Sequence, residues 1–186
     1  MMLINKKIGL DAGHGGKDPG AVDPHNWNEG DRLYTEEADI NLNFVKMLGA
    51  ALHSKGVRVT YTRTKDDTLT LTQRSNMLNA ANVDLVLSIH ANASASSAAK
   101  GAELFVQAKG GKAERLAIYI NNEFHRLQIP TRGVKVKNLH MTRETKAPAI
   151  LVELDFITNP SAEINLHNVR HLEKLVQAIV HGLERA

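Results

Sequence analysis

The chain contains no cysteine. That excludes thiolate metal sites, a nucleophilic cysteine and any disulfide framework, and it is compatible with work outside the cytoplasm. Only 4% of residues are aromatic, with Trp27 the single tryptophan, so stacking on several bases or sugars has little to draw on. No apolar run approaches the ~20 residues of a membrane span. The opening "MMLINKKIGLDAG" has no long apolar core of the signal-peptide kind and leads directly into a strand, so export would need a route these residues do not display. Internal repeats are also missing, as is any linker long enough to separate distinct domains. Charge of one sign is scarce too: the net value is +3, a weak pull on anionic polymers and no case for a nucleic-acid partner.

What is present suits an ordinary globular protein. The 186 residues are 42% apolar and 23% charged, enough for one domain over 1–186 with a substantial core. Residues 6–12 read as a buried strand that enters a Gly/Pro-rich loop running to about Thr35. Apolar Ile40, Phe44, Met47, Leu48, Ala51 and Leu52 then recur at helical spacing, with Thr35 as the expected N-cap and Gly56 as the stop. "VRVTYT", "DLVLSIHAN", "AELFVQA" and "PAILVELDF" read as strands. "TLTQRSNMLNAANV", "KAERLAIYINNEFHRL" and "VRHLEKLVQAIVHGLERA" read as helices, and "TRGVKVKNLHMT" as a turn and an extended piece. Alternating helices and strongly apolar strands predict an α/β fold: a single domain with a mostly parallel twisted sheet and helices on both faces.

Such sheets gather functional groups just beyond the C-terminal ends of their strands. His14 follows the first strand, His90 ends "DLVLSIH" and Glu153 ends "AILVE", so three strands bring metal-competent or proton-competent groups to one edge. The glycines around His14 do not make a phosphate loop. Gly16-Lys17 has Asp11 five residues earlier and Asp18 after it, and "GHGGKD" lacks the last glycine of G-x-G-x-x-G. Taken alone, His14 reads as a structural or incidental histidine before it reads as a ligand, and His90 as a ligand or a hydrogen-bonded core histidine. Glu153 lies among apolar neighbours and must be paired, metal-linked or shifted in pKa: a salt bridge to a nearby basic residue or a poised general base. His53, His125, His167, His171 and His181 fall on helices or their ends and read as surface or rim residues; His25 and His140 sit in loop-like stretches. Two histidines and one carboxylate, with a fourth position left to water, make a catalytic zinc set.

Taken in order, "IGLDAGHGGKDPGA", "EADINL", "TRTKDDTLTLTQRSNMLNAANVDLVLSIHAN", "KGAELFV", "RGVK" and "APAILVELDFITN" resemble the zinc-dependent N-acetylmuramoyl-L-alanine amidases of bacteria and phages, with their amidase-3 fold. The resemblance runs from about Lys7 to the C-terminal helix. It implies one zinc ion held by His14, Glu37 and His90, with Glu153 as catalytic base. Helical periodicity does not separate Glu37 from Glu36; the register with "DINL" selects Glu37. Asn92 of "SIHAN" and Arg143 of "HMTRET" stand as substrate contacts or as structural hydrogen-bonding residues. Two departures from the family pattern stand out. Asp155 replaces a common glycine two residues after Glu153, and "VDPHNWNEGDRLYT" makes a longer connection before Glu37, either a partial cover for the groove or a solvent-exposed insertion.

The resemblance implies a peptidoglycan hydrolase that cuts the amide between the muramic acid lactyl group and L-alanine. It would act as a monomer at the bacterial wall, outside the cytoplasm, as an autolysin or an endolysin. Glu153 would take a proton from the attacking water and return it to the leaving nitrogen. Two other functions share these features: a wall-binding module without hydrolysis, and a zinc peptidase that cuts within the stem peptide.

Overall fold

A computed structural model describes residues 3–23 and 33–186. Trp27, His25 and most of the long connection before Glu37 lie outside the described residues.

Among the described residues, six strands form one sheet: β1 (Lys7–Ala12), β4 (Arg58–Tyr61), β5 (Leu85–Asn92), β6 (Ala102–Val106), β7 (Thr131–Val136) and β8 (Ala149–Phe156). Their order is β4-β1-β5-β8-β6-β7. Neighbours are parallel except β6 against β8. The mostly parallel sheet predicted from the sequence is therefore present, with β6 and β7 running the other way. Two short strands, β2 (Val22–Asp23) and β3 (Thr35–Glu36), pair antiparallel outside it.

Strand alternation divides the sheet into two unlike faces. Ile8, Leu10, Leu87, Ile89, Ala102, Leu104, Ile150 and Val152 point to one side. There they pack in a single cluster with α1 (Glu37–Ser54), α3 (Lys112–Arg126) and α6 (Val169–Arg185). Phe44 of α1 is fully buried in that cluster, and truncating such a residue to alanine costs ~3–5 kcal/mol. The opposite side carries Asp11, Ser88, His90, Glu103 and Glu153, the alternate residues of the same strands. Among the described residues, a small cluster of Leu78, Val86, Met141 and Ala149 covers part of it, contributed by α2 (Leu71–Ala80), α4 (His140–Arg143) and the strands themselves. The remaining helix, α5 (Pro160–Leu166), follows β8. One face is thus thick and dry, while the other stays polar near the C-terminal ends of β1, β5 and β8.

The helix ends follow local chemistry. Thr70 and Gln73 form a reciprocal capping box on α2, and Asn159 and Asn168 cap α5 and α6. Gly56, at φ +75, follows the end of α1 as expected. The N-cap of α1 is a correction: Glu36 holds that position, not Thr35. The Thr35 hydroxyl is spent on Glu163 at 2.5 Å and His167 at 2.7 Å, which tie β3 to α5.

Candidate metal centre

Three segments meet at the polar edge of the sheet. The loop after β1 brings His14, the first residue of α1 is Glu37, and the end of β5 brings His90. One ligating atom from each lies within 4.8 Å of the others. His90 Nδ1 stands 2.8 Å from Glu37 Oε1 and His14 Nε2 stands 3.3 Å from Glu37 Oε2. The two imidazole rings meet nearly edge-on, with centroids 5.1 Å apart. Gly13 makes this approach feasible, since a methyl group there would overlap the His90 ring.

His14 and Glu37 are each oriented from behind. The proton on His14 Nδ1 goes to Asp18 Oδ2 at 2.8 Å, which turns Nε2 towards the cluster. Glu37 is 5% exposed and accepts from the Ala21 and Ala91 N–H groups at 3.0 and 3.2 Å. Glu36 turns the other way and accepts from the Tyr34 hydroxyl, so burial makes the choice that helical periodicity leaves open.

His14 itself sits at φ 59, a left-handed conformation that costs a residue with a side chain ~1–2 kcal/mol. Two buried arginines hold the loop there. Arg74 donates to the Ala12 carbonyl at 2.5 Å and to the His14 carbonyl at 2.6 Å. Arg63 donates to Ala12 and Gly13 and also to Ala38, next to Glu37, so one guanidinium joins two ligand-bearing segments. Asp11, fully buried, balances Arg74 at 3.0 Å and accepts from Thr62 and Ser88. Residue spacing carries no sign of this brace, because its targets are main-chain carbonyls.

The electrostatics of the cluster suit a cation. The Glu37 hydrogen bond chiefly raises the His14 pKa to about 9, against the opposing effect of burial. Burial resists ionisation of Glu37, yet hydrogen bonds from His14 and His90 outweigh it and hold the carboxyl well below its usual range. Burial also lowers the His90 pKa, and Glu37 more than reverses this. Protons there occupy positions that a divalent ion would take over. Two imidazoles and a carboxylate, one imidazole backed by a carboxylate, fit zinc as a donor set.

Glu153 is the parallel-strand partner of His90. Its Oε2 is buried without a hydrogen-bond partner, and burial pushes its pKa up to about 7, against the pull of His90. The salt bridge weighed for Glu153 belongs instead to its antiparallel partner Glu103, which binds Arg132 at 2.6 Å and Lys135 at 2.5 Å. Asn92 donates to Glu103 Oε2 at 3.0 Å, and its own oxygen accepts from the Ala93 N–H. Arg143 lies on α4, bonded to Glu144 and Asn138. The Asp155 carboxylate accepts from the Gly101 and Phe156 N–H groups, bracing the loop before β6. His140 contacts Ser75 at 3.1 Å.

A family model described as N-acetylmuramoyl-L-alanine amidase matches residues 8–185. The chain belongs to that amidase family. It is 33% identical to N-acetylmuramoyl-L-alanine amidase LytC of Bacillus subtilis over 97% of its own length, and it spans 35% of LytC. It is 31% identical to the germination-specific N-acetylmuramoyl-L-alanine amidase of the same organism, covering 98% of this chain and 80% of that one. Among solved structures, an N-acetylmuramoyl-L-alanine amidase from Clostridium difficile 630 superposes with a TM-score of 0.88 at 30% identity, covering 97% of this chain and 96% of the other. The sheet and its flanking helices are thus those of amidase catalytic domains.

Proposed function

We propose that the chain is a zinc-dependent N-acetylmuramoyl-L-alanine amidase, which hydrolyses the amide between the lactyl group of N-acetylmuramic acid and the L-alanine of the stem peptide. The observation that carries this reading is the His14–Glu37–His90 cluster with Glu153 on the same rung as His90. His14, Glu37 and His90 would hold one zinc ion. When bound, the ion supplies Lewis acidity, acidifying water and polarising the scissile carbonyl.

The protein's own groups do the rest. Asp18 and the Ala21 and Ala91 amides orient the ligands. Glu153, raised to about 7, accepts a proton near neutrality and releases it again. It takes the proton of the attacking water as the C–O bond forms. It then delivers that proton to the alanine nitrogen, because an amine anion is too poor a leaving group to depart unprotonated. The products are a glycan strand with its lactyl carboxylate and a peptide with a free alanine N-terminus.

Asn92, bonded to Glu103, and Arg143, 44% exposed on α4, would serve as contacts for the substrate. Among the described residues, no helix is long and apolar enough to cross a membrane. The substrate class puts the action at the bacterial wall, outside the cytoplasm, with a monomer sufficient for the chemistry. The test is metal analysis with a wall-hydrolysis assay before and after chelation. Zinc near one per chain and activity that disappears with chelator and returns with zinc are expected; hydrolysis that survives complete metal removal would overturn the reading.

A further inference from the structure

A substrate lying across the cluster has a muramoyl side and a peptide side, and the two flanks of the cluster differ in chemistry. Towards α2, a cleft of about 290 Å³ runs beside His14 and His90, lined by Leu69, Thr70, Leu71 and Asp18 among others. Among the described residues that line it, the one arginine, Arg74, is 3% exposed and bonded to Asp11 and to loop carbonyls. Towards β6 and β7 the flank is basic. Arg132 and Lys135 keep 45% and 40% of their side chains exposed while binding Glu103, and Lys137 lies 5.3 Å above the Phe105 ring. Three cations stand there beside Glu103 and its cross-strand neighbour Glu153, so the flank keeps an excess of positive charge.

This arrangement depends on an irregularity in β7. Ala102 pairs with Thr131 and Leu104 with Val134, so β7 places two residues, Arg132 and Gly133, opposite Glu103 alone. Were the same residues a regular strand with no bulge, Arg132 would share the face of Val134, which packs against the apolar core. The bulge, with Gly133 at φ +84, turns Arg132 onto the face of Lys135 and Glu103.

The mechanism sets the substrate's direction. Glu153 must reach the leaving nitrogen, and β8 lies between β5, which carries His90, and β6. The leaving peptide therefore departs over β6 and β7, and the muramoyl side faces α2. β7 lies two strand spacings from β8, roughly 10 Å, or about two to three extended residues. Resting on the amidase reading, we propose that Arg132, Lys135 and Lys137 form a subsite for a carboxylate of the stem peptide, two to three residues beyond the scissile amide. The enzyme selects peptides that carry a free carboxylate there over those in which it is a carboxamide.

The experiment compares two soluble muramoyl-peptides that differ only in that group, carboxylate or carboxamide, using zinc-loaded protein and detecting the freed alanine N-terminus. The parent protein should show a KM roughly tenfold lower for the carboxylate, the scale of one partly exposed charge-assisted contact. Added salt should shrink the difference. In the Lys135→Gln, Lys137→Gln double variant the KM ratio should fall towards one. The Lys135→Arg, Lys137→Arg variant, which keeps the charge, should preserve it. Equal KM values in the parent protein, or a ratio that survives the glutamine variant, would overturn the subsite while leaving the amidase reading intact. Failure to release an alanine N-terminus from either substrate would instead overturn the amidase reading, and the subsite with it.

Discussion

His90 and Glu153 occupy one rung of the sheet, paired across the parallel strands β5 and β8. Backbone register therefore fixes the spacing between the proposed metal ligand and the proposed proton acceptor. Glu153→Gln should leave the backbone and the metal cluster intact, retain zinc near one per chain, and lower kcat by roughly 10²–10⁴-fold, the scale of losing a general base. Metal analysis beside a turnover assay checks both halves. Near-parental turnover would remove Glu153 from the chemistry.

The Glu37 carboxylate meets both imidazoles and two backbone amides. Glu37→Gln keeps the shape and removes the charge that draws a cation between His14 and His90. Competition with a chromophoric chelator should show zinc affinity at least ~10-fold weaker, with activity falling in parallel at limiting zinc. Unchanged affinity would show that the ion sits elsewhere. His90→Ala should lose metal and activity together.

Asp18 touches the cluster through His14 and also accepts from the Gly20 N–H. Asp18→Ala frees the ring to choose the other tautomer and to rotate, so zinc affinity should fall by ~10–100-fold. Saturating zinc should restore most of the turnover, which a kcat measured across a zinc titration would reveal.

The buried pair Asp11–Arg74 supports the loop that carries His14. Arg74→Met would leave Asp11 charged and fully buried with two hydroxyl donors alone. Urea unfolding should report a loss of ~3–5 kcal/mol, the usual cost of breaking a buried pair from one side. A loss under ~1 kcal/mol would mean that water replaces the guanidinium freely.

Glu153 also links pH to stability. Its folded pKa of about 7 lies above the ordinary 4.5. The folded state therefore binds the proton more tightly, and this contribution to stability is complete below pH 4.5 and lost as pH rises through 7. In chelator-treated protein, the thermal midpoint of Glu153→Gln relative to the parent should climb between pH 4.5 and 7 and then level off. At about pH 8 the advantage should be at least ~1 kcal/mol, roughly 2–4 °C in a chain of this size. A constant difference across that range would show that the folded protein does not raise the Glu153 pKa.

Much of this site is legible in the sequence, for a physical reason. A mostly parallel sheet collects the residues that end its strands, and His14, His90 and Glu153 each end or follow an apolar run. Glu37 is less visible, because it opens a helix beside another glutamate. Only burial separates the two, and the family resemblance supplies that choice in advance. Thr35 misleads as a cap because its hydroxyl has a distant partner in Glu163, 128 residues on. The Arg63–Arg74 brace leaves no pattern, since it bonds carbonyls that every residue possesses. The reversal of β6 and β7 is equally silent: a strand's own residues do not state its direction, yet this reversal brings Glu103 and Arg132 to the Glu153 edge.

The identity of the cleaved bond is tested most directly by mass spectrometry of purified peptidoglycan after digestion by the zinc-loaded protein. Stem peptides that begin with a free L-alanine amine are expected, together with glycan chains that keep their lactyl carboxylates. Fragments cut within the stem peptide, or no new ends from protein carrying its full complement of zinc, would contradict the amidase reaction.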